Sequence, residues 1–384
     1  MHGQPRIALL TTGLALGGAE KQVVLLALAL RHRGWRVLMI SMLPPEAHTR
    51  WLAEGGVELV SLGVRKRVPN ITPFFRLALT LWRFRPDVLH CHQVHANLLG
   101  RLIRCVCPVP AVISSAHSMR EGGLWREWAY RVSDPLCDLT TNVSASATAR
   151  YRRRRLASAR KLLFVPNAIN PQPFTGNAQD RNRLRERQGL GAGFAWLAVG
   201  NLLEAKDYPN LLAAAAELRQ SDPDFRLLIA GAGPLENTLR TIIANRVLEE
   251  NVSLLGIRTD IPDLMRAADG YVMSSAWEGL ANVLLEASCA ELPVVATDVG
   301  GNREVVRDGT GGILVLPHDP GKLAGAMRQV MHMSPAGRQA MGRAGRAGVV
   351  ERYSIEKITG RWEEIYAGLL GGSPETAERL RSWT

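Results

Sequence analysis

Short apolar runs alternate with longer segments of helical periodicity along most of this 384-residue chain. Parallel strands that are buried on both faces read as continuous apolar runs, whereas the helices that connect them bury only one stripe. The first series opens with the run IALLTT and the segment EKQVVLLALALRHRG, and it continues to about residue 170. This alternation predicts a doubly wound α/β domain over residues 1–170.

A second series of the same kind covers residues 194–353, from FAWLAVG onwards. The intervening residues 171–193 are rich in Pro, Gly, Asn, Gln and Arg, which favours an interdomain linker. The chain is therefore predicted to contain two Rossmann-like domains, each with a parallel sheet. In open α/β sheets the ligand lies outside the carboxyl ends of the strands, so we expect an active site in a cleft between two facing domains.

Composition agrees with a folded two-domain protein. Hydrophobic residues make up 46% and charged residues 21% of the chain, as in ordinary globular proteins. The five cysteines are irregularly spaced, which argues against a disulfide framework and a zinc site and suits a reducing cytoplasm. The longest apolar run in the first helix has eight residues, whereas about 20 are needed to span a bilayer. We interpret the N-terminal segment as a strand and a glycine loop rather than as a signal peptide.

The segment 274–316 contains the clearest chemical signal. Glu278 lies on a loop before a predicted helix, and Glu286 lies inside that helix, with seven residues between them. The helix N-terminus leaves unpaired N–H groups near residues 280–284 and carries the positive end of a dipole, both of which attract phosphate. Carboxylates on either side can accept hydrogen bonds from sugar hydroxyls. This arrangement suits a nucleotide-sugar.

The two glutamates, with the following LPVVATDVGG and Glu304, resemble the E-x(7)-E region of the retaining glycosyltransferases of family 4, also called glycosyl transferases group 1. The resemblance implies the GT-B fold, with residues 1–170 binding the acceptor and residues 194–353 binding the nucleotide-sugar donor. It also implies that a last helix, 354–371, crosses back onto the first domain. The reaction would transfer a sugar with retention of configuration at the anomeric carbon.

Two glycine-containing segments extend the resemblance. Gly17 and Gly18 match the family's GG-x-E loop, which approaches the donor diphosphate. The stretch GNLLEAKD resembles the family segment G-R-L-x-x-x-K-G, and its lysine is Lys206. Asn201 replaces the usual arginine and Asp207 replaces the final glycine. The predicted site therefore has one cation fewer than the family pattern.

The resemblance also implies roles for individual side chains. Lys206 would stabilise the charge that builds on the leaving diphosphate, and Glu278 would orient the sugar hydroxyls. His117, which follows the run AVISSA, matches a histidine that faces the donor sugar, so these three residues are the predicted catalytic group. Glu286 would hold the ribose. The other predicted donor-binding positions lie in a G-x-G-P turn, near the base and at the helix start: Gly231, Gly233, Ile257, Arg258, Gly279, Leu280, Ala281, Asn282, Val283 and Leu284.

Neither a metal ion nor a cofactor is expected. The only D-x-D triplet, residues 222–224, lies in a predicted loop where Asp and Pro are ordinary turn residues. His90 and His92 resemble the family's H-x-H segment near the acceptor, and they lack the supporting carboxylate of a metal site. Because the base would be recognised by main-chain groups, UDP- and GDP-linked sugars both remain compatible with the sequence.

Charge is unevenly distributed along the chain. Residues 1–170 carry 24 Lys and Arg against 9 Asp and Glu, and the remainder carries 23 against 26. The predicted helix 71–86 combines aromatic side chains with arginines, and the basic segments 65–67 and 152–155 add to the positive field. These features favour an anionic membrane surface as partner, and no nucleic-acid-binding motif is found. A buried helix with basic ends is the alternative for 71–86. We expect a cytoplasmic protein that is peripheral on the inner face of the cell membrane.

The favoured function is a hexosyl- or N-acetylhexosaminyltransferase that acts on a lipid-linked or envelope acceptor in polysaccharide, lipopolysaccharide or glycolipid assembly. Two alternatives stay open. One is transfer to a soluble small-molecule acceptor, against which the basic half of the chain argues. The other is a catalytically silent GT-B sugar-binding scaffold, which the substitution at Asn201 supports and the retained Glu278, Glu286 and Lys206 oppose.

Overall fold

The computed structural model describes residues 4–64, 71–118 and 122–371. Over these ranges the chain forms two compact units. The first unit consists of the chain up to Ala168 together with the segment from Ile355, and the second is Ile169–Ser354. Each unit contains one sheet of parallel strands with helices as the connections, which confirms the predicted pair of Rossmann-like domains.

The first unit is built on a seven-stranded sheet with the order β3-β2-β1-β4-β5-β6-β7. Its strands are β1 (Arg6–Thr11), β2 (Arg36–Ser41), β3 (Glu58–Ser61), β4 (Val88–His92), β5 (Ala111–Ala116), β6 (Leu139–Asn142) and β7 (Leu162–Phe164). The order reverses between β1 and β4, so the carboxyl ends of these two strands form the topological switch point at which such sheets bind ligands.

Within the described residues, six α-helices of the first unit connect these strands. They are α1 (Gly18–His32), α2 (Thr49–Glu54), α3 (Thr72–Phe84), α4 (Val94–Ile103), α5 (Leu124–Ser133) and α6 (Ala145–Arg154). Helix α1 buries Val23, Val24, Ala27 and Leu30 in one core cluster, whereas α3 and α4 contribute Leu77, Leu81, Ala96 and Ile103 to another. The sheet thus has an apolar layer on each face, which explains why its strands read as continuous apolar runs.

The second unit has a six-stranded sheet with the order β10-β9-β8-β11-β12-β13. Its strands are β8 (Ala195–Val199), β9 (Arg226–Ala230), β10 (Val252–Gly256), β11 (Gly270–Met273), β12 (Val294–Thr297) and β13 (Gly312–Val315). Its helices are α7 (Ala178–Arg187), α8 (Tyr208–Ser221), α9 (Glu236–Asn245), α10 (Ile261–Ala267), α11 (Asn282–Cys289), α12 (Asn302–Val305), α13 (Pro320–His332) and α14 (Pro335–Tyr353). Here the switch point lies between β8 and β11.

The last helix, α15 (Ile355–Gly371), returns to the first unit, in keeping with the prediction for 354–371. Its buried residues include Trp362 and Tyr366, which join the same core cluster as α1. The ring of Trp35 meets that of Tyr366 edge-on, with centroids 5.5 Å apart. At the rim of this contact Arg33 Nη1 donates to Glu363 Oε2 at 2.6 Å.

Helix α7 corrects the interpretation of residues 171–193 as a linker, because the segment folds as part of the second unit. Its sequence, AQDRNRLRER, has no apolar stripe, so hydrophobic periodicity does not detect it. Ion pairs hold it instead. Arg181 Nη2 and Arg185 Nη1 donate to the two carboxylate oxygens of Asp269 at 2.5 and 2.8 Å. Asp269 also accepts the backbone N–H of Ala195, which ties α7 to the start of β8.

Candidate active site

Lys206 and Glu278 form an ion pair in the second unit. Lys206 ends the turn that follows β8, and Glu278 lies in the loop that follows β11, the neighbouring strand. The Lys206 Nζ donates to Glu278 Oε1 at 2.5 Å, and the two side chains are only 20% and 14% exposed. The structure therefore brings together, at the switch point of this sheet, two of the three predicted catalytic residues.

Serines that the sequence analysis did not single out hold this pair. Ser275 Oγ donates to the same Glu278 oxygen at 2.7 Å, and Ser274 Oγ donates to the carbonyl oxygen of Lys206 at 2.8 Å. The backbone N–H of Ala276 donates to the carbonyl oxygen of Ala205 at 2.9 Å. The loops after β8 and β11 are thus joined by side-chain and main-chain bonds. Both serines directly follow the apolar run that forms β11, and this position at a strand end is the one feature of the sequence that could have identified them as site residues.

Close backbone contacts complete the frame around the pair. Gly231 has φ 147, and a Cβ atom built there would lie 2.0 Å from the carbonyl oxygen of Gly200. Gly233 of the same G-x-G-P turn also has a close neighbour, since its Cβ would lie 2.5 Å from the carbonyl oxygen of Leu202. The turn after β9 therefore packs in close contact with the GNLLEAKD loop, and only glycine fits at these two positions of the turn.

Helix α11 starts just beyond Glu278. Its N-cap residue, Ala281, provides no side-chain hydrogen bond to the first turn, which suits a terminus that binds an anion. The N–H of Leu284 donates to the carbonyl oxygen of Ala281 at 3.0 Å, so this amide is engaged within the helix start. The carbonyl oxygen of Gly279 accepts the N–H of Gly301 at 2.8 Å, which anchors the loop before the helix. Leu280 and Ala281 are buried, whereas Asn282 and Val283 are half-buried.

Glu286 lies inside α11 and is 6% exposed. It takes part in at least one interaction within the chain. Burial, with the nearby charges of Glu286 and Glu278 among the lesser causes, raises the pKa of Tyr271 well above its ordinary value. The predicted contact of Glu286 with a ribose stays a prediction.

The two departures from the family pattern have different structural meanings. Asp207 adopts φ 45 and ψ 47, the left-handed conformation that explains why the pattern has glycine at this position. The Asp207 carboxylate accepts from His318 Nδ1 at 2.7 Å if that nitrogen carries the proton. Asn201 is exposed, and the structure offers no arginine in its place from the same loop.

Arg258 and Ile257 follow β10, near the turn that contains Gly231. Gly231 and Gly256 form a bridge, in which the Gly231 N–H donates to the carbonyl oxygen of Gly256 at 2.8 Å. Arg258 donates to both oxygens of Asp260, at 2.7 and 2.6 Å, and this hydrogen bonding raises the pKa of Arg258. Ile257, the neighbouring residue, is 68% exposed, and the predicted contact of this segment with a base stays a prediction.

In the first unit the third predicted catalytic residue, His117, belongs to a buried histidine cluster. His92 Nδ1 and His117 Nε2 are 3.0 Å apart, so one of them donates to the other. His90 lies beside His92, with ring centroids 4.0 Å apart, and contacts Tyr366 Oη and Ser115 Oγ at 2.9 and 2.6 Å. His90 is therefore held by α15 and β5 as part of the core.

Burial makes these histidines poor bases. It lowers the pKa of His117 to about 4 and lowers the pKa values of His90 and His92 well below 6.5. All three rings are neutral at physiological pH as a consequence. Within the described residues, no group of three or more His, Cys, Asp or Glu side chains is arranged to hold a metal ion.

A cavity of about 30 Å³ lies beside the cluster, lined by Gln22, His92, Ser115, His117, Thr141 and Trp362 among others. His92 Nε2 and His117 Nδ1 are buried and have no hydrogen-bond partner among the described residues. In a neutral pair joined by one hydrogen bond, one of these two nitrogens carries a proton and the other accepts. A water molecule or a hydroxyl group can serve both, and the cavity is large enough for it.

Gly17 and Gly18 open α1 at the carboxyl end of β1. Gly17 is the N-cap residue and provides no side-chain cap. Glu20, in the first turn, accepts from Gln93 Nε2 at 2.8 Å, and Gln93 follows β4 with φ 72. This contact joins the ends of β1 and β4 at the switch point of the first sheet. Gln93 is not among the predicted site residues, and its positive φ is visible only in the structure.

Helix α3, part of the predicted helix 71–86, has one buried face, and the predicted contact of this helix with a membrane stays a prediction. Pro73, Leu77, Leu81 and Phe84 are buried, and a second stripe faces outward: Ile71, Phe75, Leu79 and Trp82 are 66%, 63%, 47% and 66% exposed. The predicted basic segment 65–67 lies outside the described residues. No helix in the described ranges is long and apolar enough to cross a bilayer.

Two family models match the chain. The model described as Glycosyltransferase Family 4 matches residues 16–173, and the one described as Glycosyl transferases group 1 matches residues 180–348. The chain is 28% identical to the putative glycosyltransferase EpsD of Bacillus subtilis over 314 residues, 78% of this chain and 81% of that protein.

The chain is also similar to a named transferase and to a solved structure. The Escherichia coli UDP-Gal:alpha-D-GlcNAc-diphosphoundecaprenol alpha-1,3-galactosyltransferase is 24% identical over 74% of this chain and 76% of its own length. The crystal structure of Anabaena HepE in complex with UDP-glucose superposes with a TM-score of 0.83 and 20% identity, covering 94% of this chain and 99% of that one. At this identity the structural match shows a shared fold.

Proposed function

The chain belongs to glycosyltransferase family 4, and from this membership we propose that it transfers a hexose or N-acetylhexosamine from a UDP- or GDP-linked donor to a lipid-linked or envelope glycan acceptor. The transfer proceeds with retention of configuration and without a metal ion. The donor is a substrate, and the reaction requires no cofactor.

The Lys206–Glu278 pair is the observation that carries this proposal. The lysine ammonium has three N–H donors, of which Glu278 takes one at 2.5 Å. The remaining donors, with the uncapped start of α11, suit the two negatively charged phosphates of a nucleotide diphosphate. Glu278 keeps a second oxygen for a sugar hydroxyl. Glu286, one turn into the helix, holds the ribose in this proposal, as the family resemblance implies.

The proposed chemistry moves charge toward Lys206. The bond between the anomeric carbon and the phosphate oxygen breaks while the acceptor oxygen bonds to that carbon from the same face. The β-phosphate takes the acceptor proton, and the diphosphate leaves with its negative charge stabilised by Lys206 and the amides at the start of α11. His117, whose lowered pKa keeps it neutral, serves as a hydrogen-bonding contact to the donor sugar rather than as a general base.

The first unit supports a lipid-linked acceptor. Its excess of basic residues and the exposed stripe of α3 are features of proteins that bind anionic membranes. The E. coli relative has a diphosphoundecaprenol-linked acceptor in its name, which supports the same class of acceptor here. We therefore propose a peripheral protein at the cytoplasmic face of the membrane.

Transfer assays test the proposal. Full-length protein is incubated with each of several labelled UDP- and GDP-sugars and a polyprenyl-diphosphate-linked sugar, with and without EDTA, and the product linkage is read by NMR. We expect transfer from one donor, unaffected by EDTA, with the donor's anomeric configuration kept. Transfer only to soluble acceptors would favour the small-molecule alternative, and nucleotide binding without any transfer would favour a silent scaffold. An inverted product would contradict the proposed mechanism.

A further inference from the structure

Helix α5 has its apolar residues on the outside. Leu124, Trp125, Trp128 and Val132 are 75%, 68%, 57% and 60% exposed. At 100° per residue these four positions fall within one arc of about 100°, so they form a single outward stripe. The buried positions are Glu127, Tyr130 and Ser133. A helix that packs on a soluble core normally shows the opposite arrangement, with the apolar stripe inside.

Specific bonds fix this orientation. The carboxylate of Glu127, 5% exposed, binds Arg150 Nη2 of α6 at 2.5 Å. Tyr130 Oη accepts from Asn97 at 2.7 Å, and Ser133 Oγ accepts from the buried Arg101 at 3.1 Å. Turning α5 by half a turn would leave these polar groups unpaired and a carboxylate without its arginine, which is costly in a buried setting. The exposed tryptophans are therefore a built feature of the surface.

Positive charge lies beside the stripe. Helix α6 ends in three arginines and Arg155 directly follows it, and Arg154 Nε lies 3.7 Å from Glu127 Oε2. In the described ranges Arg152, Arg153 and Arg155 have no carboxylate partner. A cavity of about 400 Å³ opens at the end of α5, lined by Arg131, Asp134, Arg152, Arg155 and Ser158 among others. Three arginines against one carboxylate make this cavity a place for a phosphate group.

We propose that α5 and the arginine-lined cavity bind an anionic phospholipid bilayer. The four side chains of the stripe enter the headgroup region down to the acyl boundary, where the amphipathic indole rings of Trp125 and Trp128 are favoured. Lipid phosphates occupy the cavity. This inference rests on the proposed function only in that a lipid-linked acceptor requires the enzyme to reach a membrane.

Three observations favour a bilayer over a protein or a glycan. The unpaired arginines match a surface of phosphates, and each such cation adds attraction that falls with salt. Helix α4 packs against both α3 and α5, so the α5 stripe belongs to the same helical layer as the exposed Phe75 and Trp82. A sugar-stacking platform would also need polar groups at the ring edges, whereas the α5 stripe consists of apolar side chains.

Vesicle co-sedimentation of the full chain tests this inference, with phosphatidylcholine vesicles compared with vesicles that also contain phosphatidylglycerol. We expect the double substitution Trp125→Ala, Trp128→Ala to weaken binding to the anionic vesicles by roughly tenfold. The matched control is Trp51→Ala, which removes a tryptophan that is 48% exposed on α2, and it should bind as the parent does. Donor affinity, measured by calorimetry, should be unchanged in all three proteins.

A second pair of variants tests the cavity. The double substitution Arg152→Gln, Arg155→Gln should lower the salt dependence of binding and its preference for phosphatidylglycerol, whereas Arg240→Gln, Arg343→Gln in the second unit should change neither. Undiminished vesicle binding by the tryptophan variant, or equal binding to both vesicle types, would overturn the inference. Vesicle binding that persists in a chain without transfer activity would instead count against the proposed function alone.

Discussion

Lys206 and Glu278 are separated by 72 residues along the chain, yet the lysine ammonium lies 2.5 Å from a carboxylate oxygen of the glutamate. The pair is possible because β8 and β11, which precede the two loops, are neighbours at the switch point of the second sheet. Ser275 shares the same carboxylate oxygen. Bonds within the chain thus fix the positions of these charges, and fixed charges are the condition for effective transition-state stabilisation.

Replacing Glu278 by Gln should reduce the rate of sugar transfer by about 100-fold or more, because the neutral amide neither holds the lysine nor accepts as strongly from the sugar. Steady-state transfer assays and calorimetric donor titration measure the two effects separately. Glu236→Gln, which changes a carboxylate in an exposed pair with Arg240, is the control and should have full activity. Full activity in the Glu278 variant would remove this residue from the mechanism.

Gly231→Ala should destabilise the second unit by at least about 2 kcal/mol. The alanine Cβ would meet the carbonyl oxygen of Gly200 at 2.0 Å, at a φ of 147 that side chains other than hydrogen rarely adopt. Urea unfolding measures the change in free energy. Gly325→Ala is the opposite control: it lies in α13 with open space around it, and alanine there should stabilise by about 0.5–1 kcal/mol. Equal effects of both substitutions would contradict the close approach seen at Gly231.

Asp269→Ala should release α7 and destabilise the second unit by about 3 kcal/mol, because two partly buried arginines lose their carboxylate. Limited proteolysis within 178–187 and urea unfolding would both report the change. Asp180→Ala provides the comparison, since its partner Arg183 is 76% exposed and such pairs contribute less than about 1 kcal/mol. If α7 stays protected in the Asp269 variant, ion pairing is not what holds it.

Lowering the pH from 6.5 to about 4 should reduce the free energy of unfolding of the first unit. Burial lowers the pKa of His117 from 6.5 to about 4, so over this range the unfolded chain binds a proton that the folded chain does not. The contribution to stability is complete above pH 6.5 and is lost as the pH falls, reaching about 3 kcal/mol at its limit. His90 and His92, whose pKa values burial lowers in the same direction, add to the effect.

Urea unfolding at pH 7.5 and pH 5 measures this acid sensitivity. The His117→Gln variant, whose amide does not titrate, should lose part of it. An unchanged difference between the two pH values in the His117 variant would place the acid sensitivity elsewhere in the chain.

Much of the fold could be predicted from the sequence, because strands that are buried on both faces of a sheet consist of continuous apolar runs. The seven-residue spacing of Glu278 and Glu286 is local in the same sense, since a loop and the helix that follows it decide it. Helix α7 escaped prediction because its stability comes from Asp269, which is distant in sequence and contacts its arginines only after folding.

The sequence alone determined two α/β domains, the glutamate-flanked start of α11 and an excess of basic charge in the first 170 residues. Tertiary structure decided that Lys206 pairs with Glu278, that His117 is neutral beside His92, and that the tryptophans of α5 face outward. Apolar periodicity records which residues are buried within one element, and it is a local property. Strand order, desolvation and the direction in which a helix is turned depend on contacts between distant segments, so they become visible only in the folded chain.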